Sequence, residues 1–301
     1  MNTPAEPITV VTRTRNRAEL LARAVDAMAA QTLDAARLGW VAVNDGGDPA
    51  PVEAQGARLK EAGWRVEIIH HDEAVGRSRA ANIGVRRAPD GLVLLHDDDD
   101  WLAPDALSAF DASLAQMPDA VCAVGNYITV TETLNAGRWV TRKEAGQYPP
   151  YPLGVLDIAA RNRFPPIAMV YRKTAFDTVG GYPEDLSVLE DWVFNLKLVA
   201  LGHMRRVRQT TSYYSLRPGA EADAANSVIA DNRLHEDEEL RIRNDAIRKS
   251  IAAGSMDMGA VLAHGAVLRG QERIEARFAL VRRAVDLIPG GKWLRKRLRG
   301  G

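Results

Sequence analysis

Short apolar strands alternating with amphipathic helices predict an α/β protein built on a mostly parallel sheet. Polar and charged residues gather at the carboxyl ends of those strands, which is where such sheets bind ligands. An apolar fraction of 46% in 301 residues supplies a core for one large domain or two smaller ones.

The elements follow in order. Ile8 to Val11 form a short β-branched strand. A helix over "NRAELLARAVDAMAAQ" follows, with Leu21, Val25 and Met28 on one face, and Asn16 and Glu19 placed as a capping box. "WVAVN" (40–44) is a second strand, ended by Asp45-Gly46-Gly47, and a polar helix runs to about residue 62. "VEIIH" (66–70), the helix "GRSRAANIGVRRA" (76–88) and the strand "LVLLH" (92–96) complete the first half. "AVCAVGNYITV" (120–130) is a further strand, and a Gly/Pro/Tyr-rich stretch runs on to about 166. "IAMVYRKTAF" (167–176) reads as a strand entering a helix, and "LEDWVFNLKLVALG" as a helix closed by Gly202. Beyond about 219 the chain reads as charged helix.

Acidic and basic residues balance at 39 each, so charge gives no general attraction to nucleic acid or membrane, and no nucleic-acid partner is expected. The single cysteine, Cys122, excludes an intrachain disulfide and reads as inert core. "MNTPAEPITVV" has no basic region leading into an apolar stretch, and no apolar run approaches the ~20 residues that span a bilayer. A cytoplasmic location is therefore expected.

The strand ends share one edge: Thr12-Arg13, Asn44-Asp45, His70-His71 and the run Asp97 to Asp100. Four adjacent acids after a buried strand repel by ~1 kcal/mol per pair at 4 Å even in bulk water. A divalent cation would offset that repulsion. In an extended segment Asp97 and Asp99 face the same way and would converge on the ion, leaving Asp98 and Asp100 for ribose, substrate or backbone amides. The plain alternative is a solvated acidic turn capping the helix at Pro104. Asp45, in its Gly-flanked turn, is placed to accept hydrogen bonds from a base or ribose. Arg13, Arg15, Arg17, Arg77 and Arg79 lie near the same edge and suit a diphosphate. No Gly-rich dinucleotide or phosphate loop follows the first strand.

The segments "ITVVTRTRNRAELL", "VNDGG", "GRSRAANIGV", "LLHDDDDWLAPDAL" and "GGYPEDLSVLEDWVFNLKL", in this order, resemble family 2 glycosyltransferases with the GT-A fold. The resemblance covers about residues 7 to 217. It implies a Rossmann-like catalytic domain over 1–217 and a helical C-terminal extension over 218–301. It also implies inverting transfer from a nucleotide-diphosphate sugar to a glycan or lipid-linked acceptor, with bacterial surface polysaccharide or another glycan as product. Asp45 would then contact the base, and Thr12 to Arg15 would line the nucleoside pocket. Asp97, Asp98 and Asp99 match the D-x-D region, with Asp99 and Asp97 as ligands of Mn²⁺ or Mg²⁺. Glu190-Asp191 matches the family's E-D pair, whose Asp takes the acceptor proton. The match has departures. Ala81-Asn82 replaces a common Arg-Asn, which leaves its role to Arg77 four residues earlier. Arg15 replaces a common aromatic. Arg217, in "YYSLRPG", stands where relatives carry a histidine, and would touch phosphate without ligating metal.

Plainer roles compete at several of these positions. His96, His70 and His71 read as strand-end residues bonded locally. Trp101 and Trp192 suit either a sugar face or the core. An acid at position 191 would also be stabilised by the helix dipole. Two rival functions stand beside transfer: a nucleotidyltransferase, kept open by "TRTRNR", and a non-catalytic nucleotide- or glycan-binding module, opposed by the intact Asp191. In the tail, Ile274, Phe278, Val281 and Val285 form a stripe before "KWLRKRLR" (292–299), with five basic residues. That pattern suits either a peripheral membrane anchor or a helix packed on the catalytic domain.

Overall fold

The computed structural model describes residues 6–135, 138–148, 152–218, 232–255 and 258–287. The first half alternates as expected: β1 (Ile8–Thr14), α1 (Ala18–Ala29), β2 (Leu38–Asp45), α2 (Pro49–Glu61), β3 (Arg65–His71), α3 (Arg77–Arg87) and β4 (Leu92–Asp97). Next come β5 (Trp101–Leu102), α4 (Ala106–Ala115), β6 (Cys122–Asn135), β7 (Arg138–Tyr148), α5 (Val155–Ala160), β8 (Met169–Arg172), α6 (Lys173–Val179), α7 (Glu190–Leu201) and β9 (Met204–Leu216). One sheet runs in the order β3-β2-β1-β4-β8-β6-β9-β5, with β7 paired to β6. Its β3-β2-β1-β4 half is parallel, while β8 joins β4 and β6 antiparallel and β9 joins β6 parallel.

Side-chain alternation divides the core between the two faces of the sheet. Val10 turns to the side packed by Leu21, Val25, Met28, Trp40 and Phe110. Val11 turns to the side packed by Val85, Tyr171, Trp192 and Phe194. Helix α3 lies close against the sheet because Gly84 offers no Cβ, which would collide with Val11. Register then sets the functional edge: Thr12 stands beside His96, Arg13 beside Asp97, and Thr14 beside Asn44.

Elements that fall outside the sequence expectations include β5, β7, α5 and β9. β9 reads MRRVRQTTSYYSL, and its buried positions include Thr211, Ser212 and Ser215 rather than an apolar face. The capping box also differs. Asn16 takes a left-handed φ of 53° and its Oδ1 accepts from the Asp48 amide at 3.1 Å. Arg17 is the N-cap of α1, and the Glu19 carboxylate instead accepts from the Trp139 amide at 3.2 Å.

Of the C-terminal helices α8 (Asn232–Ala253) and α9 (Met258–Leu287), α9 packs on α5 and α8 packs on α9. Gly265 permits backbone-close approach to Ala159. Arg243 donates to the carbonyls of Ala159 at 2.9 Å and Ala160 at 3.1 Å, satisfying the end of α5. Ile274 and Phe278 are exposed. The side chains of Val281 and Val285 and the basic run 292–299 lie outside the described residues. Among the described residues no helix is long and apolar enough to cross a membrane.

Candidate active site

Arg13 stands at the centre of the edge. Its Nε donates to Asp97 Oδ1 at 2.6 Å and its Nη2 to Asp97 Oδ2 at 3.3 Å. Its Nη1 donates to Glu190 Oε1 at 3.1 Å and to the Arg77 carbonyl at 3.1 Å. Arg77 reaches in from the start of α3, 3.8 Å from Asp97 and 3.7 Å from Glu190, with its side chain 45% exposed. Burial alone would favour a neutral Asp97, but Arg13, Arg77 and Arg17 outweigh it and hold the carboxyl well below the usual range.

The run Asp97 to Asp100 is a turn and not an extended segment, closed by the Asp100 amide on the Asp97 carbonyl at 3.2 Å. The turn splays the acids, so Asp97 and Asp99 meet different partners instead of facing the same way. Asp98 accepts from Thr14 Oγ1 at 2.6 Å and Arg17 Nη1 at 3.0 Å. Burial, with Asp99 beside it, pushes the Asp98 carboxyl up to about 6 against the pull of Arg17. Asp99 accepts from Arg17 Nη1 at 3.2 Å and from Arg217, while its carbonyl takes Arg23 Nη2 at 2.9 Å. Asp100 accepts the Ser215 amide at 2.8 Å, and burial and Asp99 push it well above the usual range. Behind Asp99, Glu132 is held by Arg23, by the Ser215 hydroxyl and, at 3.9 Å, by Arg217. Guanidinium partners and raised carboxyl pKa values thus contain the charge of the acidic run.

Asp191 enters from the first turn of α7, after Leu189 at a left-handed φ of 65°. Asn162 Nδ2 donates to Asp191 Oδ2 at 2.6 Å, and the Trp192 amide donates to Oδ1 at 2.7 Å. Burial and the adjacent Glu190 push this carboxyl up to about 6. It lines a cavity of about 280 Å³ together with Arg13, Arg77, Asp97, Glu190, Tyr214 and His235, the last contributed by α8.

The other expected residues are distributed differently. Thr12 is buried in the sheet and its hydroxyl takes the Trp40 indole N–H at 2.8 Å, which faces it into the core and away from a nucleoside. Arg15 is exposed on the loop after β1. Asp45 accepts the amides of Val75 at 2.6 Å and Gly76 at 3.1 Å. Gly46 closes this turn at a φ of 79°, where a Cβ would strike the Ala74 backbone. His96 is buried beside Thr12, with burial lowering its pKa to about 4. Trp192 is core, its indole N–H on the Ile158 carbonyl at 2.6 Å. Trp101 stacks on Tyr213 under the Arg23 guanidinium.

Glu132, Arg23, Ser215 and Asn162 were not expected at this site. They lie on β6, α1, β9 and the loop after α5, and β6 was expected to end at residue 130, before Glu132. One sequence signal was available: Asn82, in place beside the missing helix arginine, clamps the "GGYPE" loop through the Tyr182 backbone at 2.8 and 2.9 Å.

The donor set does not fit a divalent ion as it is arranged. Asp97 is chelated by Arg13, and Asp99 is shared between Arg17 and Arg217 on the other side of the turn. Among the described residues no three His, Cys, Asp or Glu side chains are grouped to hold a metal.

The fold is similar to S. aureus TarS (residues 1–349) in complex with UDP-GlcNAc, with a TM-score of 0.62, 16% identity, and coverage of 86% of this chain and 71% of that one. It is also similar to the mannosyltransferase PcManGT from Pyrobaculum calidifontis in complex with GDP-Man and Mn²⁺, with a TM-score of 0.55, 18% identity, and coverage of 98% and 80%. An uncharacterized glycosyltransferase, YwdF of Bacillus subtilis (strain 168), is 25% identical over 225 residues, 74% of this chain and 78% of that protein. The model of Glycosyl transferase family 2 matches residues 9–179, more than half of the chain, and the protein belongs to that family of glycosyltransferases.

Proposed function

We propose that the enzyme moves a sugar, with inversion, from a nucleoside-diphosphate sugar to an acceptor hydroxyl. The observation that carries this reading is the pairing of groups in one cavity. Asp191, a carboxyl raised to about 6, shares the cavity with the guanidiniums of Arg13 and Arg77. In the reaction the acceptor oxygen attacks the anomeric carbon while its proton passes to Asp191. The bond from that carbon to the phosphate oxygen breaks, and its electron pair leaves on the diphosphate. Arg13, held by Asp97 and Glu190, and Arg77 supply positive charge for the leaving group.

The ligands of the similar structures, UDP-GlcNAc and GDP-Man, support UDP- and GDP-sugars as the donors to try. A glycan or lipid-linked hydroxyl, in surface polysaccharide synthesis, is the acceptor we assign by the family resemblance. No metal enters the steps above, because Asp97 and Asp99 are committed to separate arginines.

The test is a thermal-shift panel of UDP, GDP and their sugars, followed by NMR of the anomeric configuration of any product. Stabilisation by one diphosphate and an inverted product are expected. A panel in which none stabilises the protein, or a product with retained configuration, defeats the reading.

A further inference from the structure

Arg217 stands out among the charged groups of the edge. Its side chain is wholly buried, and it donates to Asp99 and, at 2.9 Å, to Ser215 Oγ, with Glu132 at 3.9 Å. A guanidinium keeps its charge in proteins and offers no lone pair, so it cannot act as a metal ligand. Arg17 shares the same Asp99 oxygen at 3.2 Å and bridges to Asp98 at 3.0 Å. Unlike Arg217, Arg17 is 22% exposed, and it lines an open pocket of about 220 Å³ with Thr14, Asn16 and Asp48.

A dication approaching Asp99 Oδ2 would meet two fixed positive charges on the oxygen it needs. Reaching Asp97 as well would require breaking the two-bond contact with Arg13. Two-point guanidinium contacts of this kind are the strong ones, and an ion would have to replace both sides at once.

Resting on the donor reading above, we propose that this enzyme binds the nucleoside diphosphate without a divalent cation. Arg217 neutralises Asp99 in the metal's place, and Arg13 and Arg77, which line the cavity with Asp191, meet the phosphates. Arg217 is on this account a positioning residue: with Arg17 it holds Asp99 on its own side of the turn, apart from Asp97 and Arg13.

Two measurements on the wild-type chain decide the proposal. Binding of UDP and of GDP is measured by calorimetry in EDTA and again with Mn²⁺, and Mn²⁺ binding is followed separately by electron paramagnetic resonance. The expected result is a Kd that agrees within about twofold between the two conditions, with no stoichiometric Mn²⁺ bound. A Kd at least tenfold weaker in EDTA, or one tightly bound Mn²⁺ per chain, overturns it. Arg217→His returns an imidazole beside Asp99 and is expected to bring a Mn²⁺ signal that the wild type lacks. Circular dichroism checks that this variant folds, and the wild-type measurements stand without it. If neither diphosphate binds in either condition, the donor reading fails, while the Mn²⁺ spectrum still decides whether arginine has taken the ion's place.

Discussion

On one side of the acidic turn, Asp97 shares Arg13 with Glu190 beside an open cavity; on the other, Asp99 shares Arg217 with Glu132 in a buried cluster. The chemistry of the pairs is the same, carboxylate on guanidinium, but the surroundings are not. Arg77 on the Asp97 side is 45% exposed, whereas Arg217 and Glu132 are each about 1% exposed. The exposed side has charge to spend on a ligand that comes and goes. The buried side is permanently occupied, and removing one partner there strands another charge away from water. The same residue types two positions apart therefore divide into a working face and a structural one.

The largest effect should come from the working face without any change in the buried one. Asp191→Asn keeps the shape of the cavity and the hydrogen bond from the Trp192 amide but cannot take a proton. Turnover should fall by about 10²–10⁴-fold with the affinity for nucleoside diphosphate unchanged. Full activity in this variant would remove Asp191 as the base and blur the distinction between the faces.

The reverse experiment is Glu132→Ala. It leaves Arg23 and Arg217 facing each other without their shared carboxylate, and Ser215 without its acceptor. Urea unfolding should show a loss of about 3–5 kcal/mol, the usual cost of breaking a buried ion pair on one side. A loss below 1 kcal/mol would mean that the cluster is as tolerant as an exposed pair.

A smaller effect separates the faces by pH. Asp191 must be ionised to accept a proton, and its pKa is raised to about 6. Activity should therefore be full above that value and fall about tenfold per pH unit below it, as the protonated form takes over. Asp98 has a similarly raised value but lies buried against Thr14 and Arg17. The acidic limb should accordingly vanish in Asp191→Asn, whose residual rate is expected to be flat between pH 5 and 7. A limb that survives in that variant assigns the titration to another group.

Much of this arrangement was legible in the residues. In the β3-β2-β1-β4 half, β1, β2 and most of β4 are apolar strands buried on both sides, and their ends bring Arg13, Asp45 and Asp97 to one edge. The second half was harder to read because its signals are not apolar. β9 buries Thr211, Ser212 and Ser215, and an alternation of hydroxyls looks like loop until Gly125 is seen to make room for Thr211. Four identical side chains at Asp97 to Asp100 carry no pattern of their own, so the sequence alone suggests an extended segment where the structure has a turn. Their directions depend on Arg17, Arg23 and Arg217, which arrive from α1 and from the end of β9. The family resemblance could place Glu190-Asp191 at a site, but not the loop after α5 that supplies Asn162.

Asn162 provides the finest division of the two faces, because its Nδ2 donates to Asp191 Oδ2 and its Oδ1 accepts from Asn195 at 3.1 Å. Its N–H favours the ionised carboxylate and so opposes the upward push of burial. Asn162→Ala removes that donor, and the Asp191 pKa should rise further. The acidic limb then moves to higher pH, lowering the rate by less than about tenfold near pH 6 and little above pH 8, where the carboxyl ionises regardless. A merely structural role for Asn162 would lower the rate by the same factor at every pH and leave the limb where it was. The displacement of the limb, and not the size of the loss, is what would identify Asn162 as the residue that tunes the base.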